Sequence, residues 1–347
     1  MQALTVGKNQ AGQRFDKYLH KVMPTAGTGF IYKMLRKKNI TLNGRKAEGS
    51  EIVAEGDTVR FFFSDETFEK FTGISAGKAP SEKFTSPDPC KEYRKAYQSS
   101  QGIQVIYEDE NFCFLAKPAG ILTQKAKPDD ASLNEWLLGY LLSCDASWEK
   151  EFKVFHPSVC NRLDRNTSGL VLCGKSLAGS QYLSKCIKER TVKKFYRTIC
   201  LGEIVTSAFI NGFLIKDERT NTVRIEEHPL NPSQAEFIMT GYTPLKATRD
   251  YTHLEVELVT GKTHQIRAHL ASIGHPLIGD TKYGSQTNNQ KMQERYQLRH
   301  QLLHAYRVTF PVCTEGVGAA LSGRTFLAEY PKQFQTILTG LVQSGDR

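Results

Sequence analysis

No two of the eight cysteines, Cys90, Cys113, Cys144, Cys160, Cys173, Cys186, Cys200 and Cys313, form a Cys-x-x-Cys pair, and most sit inside apolar runs. This argues against a disulfide framework or zinc site and for reduced core thiols in a cytoplasmic protein. The first ten residues, MQALTVGKNQ, lack the apolar stretch of a signal peptide. No apolar run reaches the 18 or so residues of a membrane span, so no membrane partner is expected. Glycine-rich phosphate motifs of the Gly-x-Gly-x-x-Gly or P-loop type are missing, so no nucleotide cofactor is expected. His264, His269, His275 and His304 raise the question of a metal. However, His264 and His269 lie five apart, about 140° around a helix, and no His-Glu-x-x-His pattern accompanies them. No metal or other cofactor is expected.

What is present is an ordinary globular composition, 39% hydrophobic and 24% charged, with a formal net charge of +10. A chain of 347 residues is long for one core and suggests a large domain with a small companion. The positive balance points to a polyanionic partner, because basic residues displace condensed counterions from a phosphate backbone.

Residues 12–63 read as a small α+β module. Phe15, Tyr18, Leu19 and Val22 recur at helical spacing, as do Phe30, Ile31, Met34 and Leu35. Ile40 and Leu42 lead into Asn43-Gly44, a hairpin turn signal, and Thr58 to Phe63 reads as a closing strand. From Phe30 to Lys46 the chain carries Lys33, Arg36, Lys37, Lys38, Arg45 and Lys46 and no acidic residue. The alternatives are a solvated charged face and an RNA-binding edge. The pattern resembles the alpha-L (S-four-like) RNA-binding domain, which implies the second. Residues 64–102, rich in Ser, Gly, Pro, Lys and Glu, read as a flexible tether, with Phe84, Tyr93 and Tyr97 free to dock on a neighbour. Residues 103–330 then alternate strand-like and helix-like segments: strands at 103–107, 111–116, 192–201, 202–217, 220–226, 235–243 and 251–259, and helices after Ser132 and from Leu177 to Glu189.

The stretch around which this region is organised is Asn161 to Leu170, NRLDRNTSGL. Asp164 stands between Arg162 and Arg165. Two cations beside a carboxylate favour its ionised form, which can serve as nucleophile or base. From the charges alone, a surface loop with a salt bridge is the commoner explanation.

Arg162-Leu163-Asp164-Arg165 with Thr167-Ser168-Gly169-Leu170 resembles the catalytic motif of the RluA family of RNA pseudouridine synthases. Further segments carry the same resemblance. They are the Lys117-Pro118 turn, Lys194-Phe195-Tyr196, the long block TGKTHQIRAHLASIGHPLIGDTKYG at 260–284, and Gln301 to Ala305. One position departs: Asn161 stands where the family commonly has histidine. The resemblance implies a catalytic domain with a large, mainly antiparallel mixed β-sheet flanked by helices, and a usually monomeric enzyme without cofactor. It implies isomerisation of uridine to pseudouridine in RNA. Asp164 would act on the ribose, by direct attack or by assisting departure of uracil. Arg267 would hold Asp164, and Tyr196 would face the flipped base or act as base or hydrogen-bond partner. Arg162, Arg165, His264, Gln265 and Leu303 would contact RNA. Extruding the nucleotide costs a few kcal/mol. The implied substrate is large-subunit ribosomal RNA, with transfer RNA as the alternative. A nucleoside hydrolase is a rival reading, but it would want a second carboxylate, for which Asp280 is a distant candidate. A non-catalytic RNA-binding or ribosome-assembly protein is another.

Overall fold

The computed structural model describes residues 2–72, 89–152, 155–217, 219–220 and 222–343. Two compact units emerge. One takes in the chain up to Ser99 with Glu135–Ser158 and Gly174–Gln181, and the other comprises Ser100–Asn134, Val159–Cys173 and the chain from Tyr182 on.

In the first unit, strands β1 (Gln2–Thr5), β2 (Ile40–Leu42), β3 (Arg45–Lys46) and β4 (Thr58–Phe61) form an antiparallel sheet ordered β1-β4-β2-β3. Helices α1 (Phe15–Val22) and α2 (Thr28–Arg36) bury the residues that the spacing marks: Phe15, Tyr18, Leu19 and Val22 from one, Ile31, Met34 and Leu35 from the other. Each such side chain contributes about 1.5–3 kcal/mol of burial. Asn43 (φ 51°) and Gly44 (φ 74°) take the left-handed conformations a two-residue hairpin turn requires. Strand β1 pairs with β4, so the module begins before residue 12.

The reading of 64–102 as a tether is corrected at both ends. Helix α3 (Asp65–Thr72) packs Phe68 edge-on against Phe61 at 5.2 Å between ring centres, and Phe71 against Phe30 at 4.4 Å. Helix α4 (Pro89–Ser99) sets Tyr97 against Trp136 of α5 (Leu133–Cys144) at 5.3 Å. It also sets Tyr93 against Phe152, which follows the short helix α6 (Trp148–Glu151). The approach is close: a Cβ at Gly139 would lie 2.1 Å from the Tyr93 carbonyl oxygen. Average polarity concealed aromatic residues at helical spacing. The middle of the tether, 73–88 with Phe84, lies outside the described residues.

The second unit is built on an 11-stranded sheet. Its strands are β5 (Gln104–Glu108), β6 (Phe112–Lys117), β7 (Ser158–Val159), β8 (Ser168–Gly174), β9 (Lys193–Leu201), β10 (Ala208–Asp217), β11 (Thr222–Glu226), β12 (Ala235–Ala247), β13 (Tyr251–Leu258), β14 (Leu303–Thr309) and β15 (Thr325–Leu327). The order is β11-β10-β12-β13-β9-β14-β8-β6-β5, with β15 beside β14 and β7 beside β8. Pairing is antiparallel from β11 through to β14, while β14 and β8 run parallel, so the sheet is mixed and mainly antiparallel, as expected. All seven residues of β8 are buried, which explains its unbroken apolar run.

Helices α7 (Leu177–Lys188), α8 (Gln265–Ser272), α9 (Gln286–Tyr296) and α10 (Lys332–Leu338) complete the α+β architecture. Phe334, Ile337 and Leu338 of α10 share a core with Ile199, Ile278 and Leu302, so this unit extends past the expected end at 330. No helix among the described residues is long and apolar enough to cross a membrane.

Candidate active site

The turn before β8 carries the site. Thr167 N–H donates to the Asp164 carbonyl at 3.0 Å and closes the turn. The buried Thr123 hydroxyl clamps Leu163, donating to its carbonyl at 2.8 Å and accepting from its N–H at 3.1 Å. Lys117, 1% exposed, donates from Nζ to the carbonyls of Pro118, Ile121 and Arg165 at 2.9–3.0 Å. Burial pulls the Lys117 amine down to about 7, while nearby Asp164 pushes it back up. Asn161, the departure from the family pattern, accepts the Leu172 N–H on Oδ1 at 2.7 Å and ties the motif to β8. Behind the turn, the Ser168 hydroxyl meets His304 Nδ1 at 2.8 Å, and His304 Nε2 lies 3.0 Å from the Ala328 carbonyl. The carbonyl can only accept, so the His304 proton sits on Nε2 and Nδ1 accepts from Ser168.

The rest of the site comes from α8 and the loop after it. Arg267 donates from Nη1 to Asp164 Oδ2 at 2.9 Å, and from Nε and Nη2 to the two oxygens of Asp280 at 2.7 and 2.9 Å. Asp280 is fully buried and also accepts the N–H groups of Lys282 and Tyr283. Burial alone would raise the Asp280 carboxyl, but the Arg267 hydrogen bonds and charge, with those backbone donors, hold it below the usual carboxylate range. Asp164 keeps 27% of its side chain exposed. Arg267 thus joins one carboxylate locked inside the protein to one that faces outward.

His264, in a left-handed conformation at the head of α8 (φ 54°), places Nε2 3.8 Å from Asp164 Oδ2 and Nδ1 3.0 Å from the Tyr283 hydroxyl. Burial lowers the imidazole's pKa, and so do the charges of Arg267 and Lys282; Asp164 and Asp280 oppose them. Tyr196 projects from β9 and is buried. Burial and the charge of Asp164 push its phenol well above the usual tyrosine range, so it remains protonated.

The structure therefore brings together Asp164, Arg267 and Tyr196, expected as a set, sets His264, expected as an RNA contact, beside them, and adds Asp280, Tyr283 and Lys117. The ion pair of Asp164 with Arg267, 103 residues away, is the one the resemblance implied, and Arg162 and Arg165 beside it in sequence are exposed. Two readings need correction. Gln265, expected to touch RNA, is 2% exposed. It spends its amide on Thr260, Lys262, Met239 and Thr240, holding the head of α8 to β12. Asp280 is consumed by Arg267 and two backbone donors, so it cannot supply the second carboxylate of a hydrolase.

Leu303 is buried at the start of β14, opposite Thr198, and borders a cavity of about 80 Å3 with Pro118, Ala119 and Asn166. In the first unit Lys33, Arg36, Lys37, Lys38 and Arg45 are all exposed on α2 and the hairpin after it. Sequence spacing had no way to reveal Asp280 as the partner of Arg267; its Gly-Asp turn was the visible signal.

A large mixed sheet with an outward carboxylate braced by a buried arginine is the arrangement of an enzyme acting on a ligand wide enough to reach a surface turn. The family model described as RNA pseudouridylate synthase matches residues 111–272, which contain Asp164, Tyr196 and Arg267. The ribosomal large subunit pseudouridine synthase C of Rickettsia bellii is 32% identical over 78% of this chain and 83% of its own length. Its namesake in Vibrio vulnificus is 27% identical over 89% and 88%. Among solved structures, human RNA pseudouridylate synthase domain containing 4 shares the fold with a TM-score of 0.56 at 18% identity, covering 72% of this chain and 97% of that one. The chain belongs to the RNA pseudouridylate synthase family. It is an isomerase that converts uridine to pseudouridine within RNA.

Proposed function

We propose that this enzyme modifies uridines of large-subunit ribosomal RNA, working in the cytoplasm as a monomer, with Asp164 as its reacting group. The observation that carries the chemical part is the Asp164–Arg267–Asp280 chain: the one carboxylate left reachable is aimed by an arginine that is itself fixed from behind. The ribosomal assignment is supported by what the R. bellii and V. vulnificus relatives are named for. The exposed cations of α2 and its hairpin support a grip on RNA outside the reacting centre.

In the reaction the N1–C1′ glycosidic bond breaks, the uracil turns, and a C5–C1′ bond forms. C5 gives up its proton and N1 ends protonated. Electrons are conserved, so no redox partner is required. Asp164, as an anion beside the ribose, serves either a direct attack on C1′ or a proton abstraction that expels uracil; both need the same oxygen. Arg267 keeps that oxygen oriented. Tyr196, a neutral phenol, offers its ring to the extruded base and its hydroxyl as a donor, not as a base. Arg162 and Arg165, exposed on the rim, and His264 beside Asp164 hold the RNA around the flipped nucleotide, and Leu303 packs near the base.

Mapping pseudouridines across ribosomal and transfer RNA, in cells with the intact gene and with an Asp164→Asn allele, tests the proposal. Loss confined to large-subunit ribosomal RNA is expected. Loss confined to transfer RNA overturns the substrate assignment, and an unchanged map overturns the role of Asp164.

A further inference from the structure

The sheet of the second unit has two faces, and Tyr196 addresses only one. Its neighbours Phe195 and Arg197 emerge on the other. Strand register places Glu257 opposite Phe195, Glu255 opposite Arg197, Gly241 opposite Glu257, and Phe209 opposite Gly241. Phe195, Phe209, Gly241, Glu255 and Glu257 line a cavity of about 280 Å3. Gly241 carries no side chain. The Phe209 ring lies across that glycine, where an added Cβ would sit 2.7 Å from it, yet Phe209 is 63% exposed. Phe195 supplies a second ring, and the Arg307 guanidinium already stands 3.7 Å from its centre.

The charged side chains lining the cavity are both carboxylates, and their situations differ. Glu255 is matched by Arg197 and Arg307, each at 2.8 Å. Glu257 is half-buried with no hydrogen bond or ion pair among the described residues.

Two aromatic rings and an unmatched carboxylate suit a flat cation. An arginine side chain can stack on the rings and hydrogen-bond a carboxylate in the same pose. A phosphate backbone would instead meet the unmatched carboxylate of Glu257, since Glu255 is already neutralised by Arg197 and Arg307. We infer that this cavity, on the face of the sheet away from Asp164, is a docking site for an arginine-bearing basic segment of a partner protein. The site is separate from the reacting centre and independent of which RNA the enzyme modifies.

The test uses the full chain and fluorescein-labelled Gly-Arg-Gly-Arg-Gly, with a citrulline twin of the same shape and no charge. Fluorescence polarisation at about 50 mM salt keeps screening modest. Saturable binding of the arginine peptide is expected. Citrulline, E257Q or F209A should each weaken it roughly fivefold or more. E257Q should convert an RNA fragment at the rate of the original enzyme, which also certifies its fold. Equal binding of the two peptides, equal binding by E257Q and the original chain, or absence of saturation overturns the proposal. A single-stranded RNA oligonucleotide whose affinity falls on F209A and does not fall on E257Q would assign the face to RNA and overturn it as well.

Discussion

The two units handle charge in opposite ways. At the active site Arg267 is 5% exposed and Asp280 fully buried, and Arg267 meets both Asp164 and Asp280 within 3 Å. In the N-terminal unit Lys33, Arg36, Lys37, Lys38 and Arg45 stand exposed, without an ion pair among the described residues. A buried, matched network costs desolvation and returns geometry. An exposed, unmatched patch costs little and returns long-range attraction that salt weakens. The first arrangement suits an oxygen that must meet one ribose carbon, and the second a grip on a polyanion.

The sharpest way to separate the two is Asp164→Asn. It should cut turnover by about a thousandfold or more, as loss of a reacting group does, and leave RNA affinity where it was. Asp280→Asn should come next. It strands the Arg267 charge in the interior, at a cost of about 3–5 kcal/mol in unfolding free energy, and it lowers turnover by releasing Asp164 from its brace. Urea unfolding and single-turnover assays read the two effects. Joint reversal of Lys37 and Lys38 to Glu should weaken RNA binding roughly ten- to hundredfold. It should also make the dependence of log affinity on log salt shallower by about two, while turnover at saturating RNA stays unchanged. Unchanged salt dependence would mean that this face does not hold RNA.

The smallest effect is a pH effect. Burial holds both His253 and His304 of the second unit down to about 4, against 6.5 ordinarily. The unfolded chain therefore takes up protons below about 6.5, whereas the folded chain does so only near 4. Stability is full above that window and falls as pH drops through it, by roughly 1–2 kcal/mol per histidine. Urea unfolding at pH 7 and at pH 5 measures it, and His253→Phe should remove about half of the loss.

Local elements were legible because their cause is local. The spacing of Phe15, Tyr18, Leu19 and Val22 marked α1, and Asn43-Gly44 its hairpin turn. Ser132 was read as the start of α5, and its hydroxyl does accept the Asn134 N–H at 3.2 Å. The tether was misread because composition averages over positions, while burial depends on which positions are aromatic: Phe68, Phe71, Tyr93 and Tyr97 lie three or four apart and found partners. Gln265 shows the converse. A polar residue within a functional block reads as a ligand contact, but a buried amide is equally suited to knitting a helix to a strand. The pairing of Asp164 with Arg267 was available only through resemblance to a family, since no periodicity connects residues 103 apart.

Glycine at position 169 has φ 114°, and a Cβ there would fall 2.2 Å from the Ala305 carbonyl oxygen where β8 runs beside β14. Ser168 and His304 join the same seam across 136 positions of sequence. The loop bearing Asp164 is therefore finished only when a later strand, β14, slides in next to it, a contact of long sequence separation and slow closure. During synthesis, the turn bearing Asp164 lacks its β14 neighbour until residues beyond 303 have left the exit tunnel, so the site is completed late.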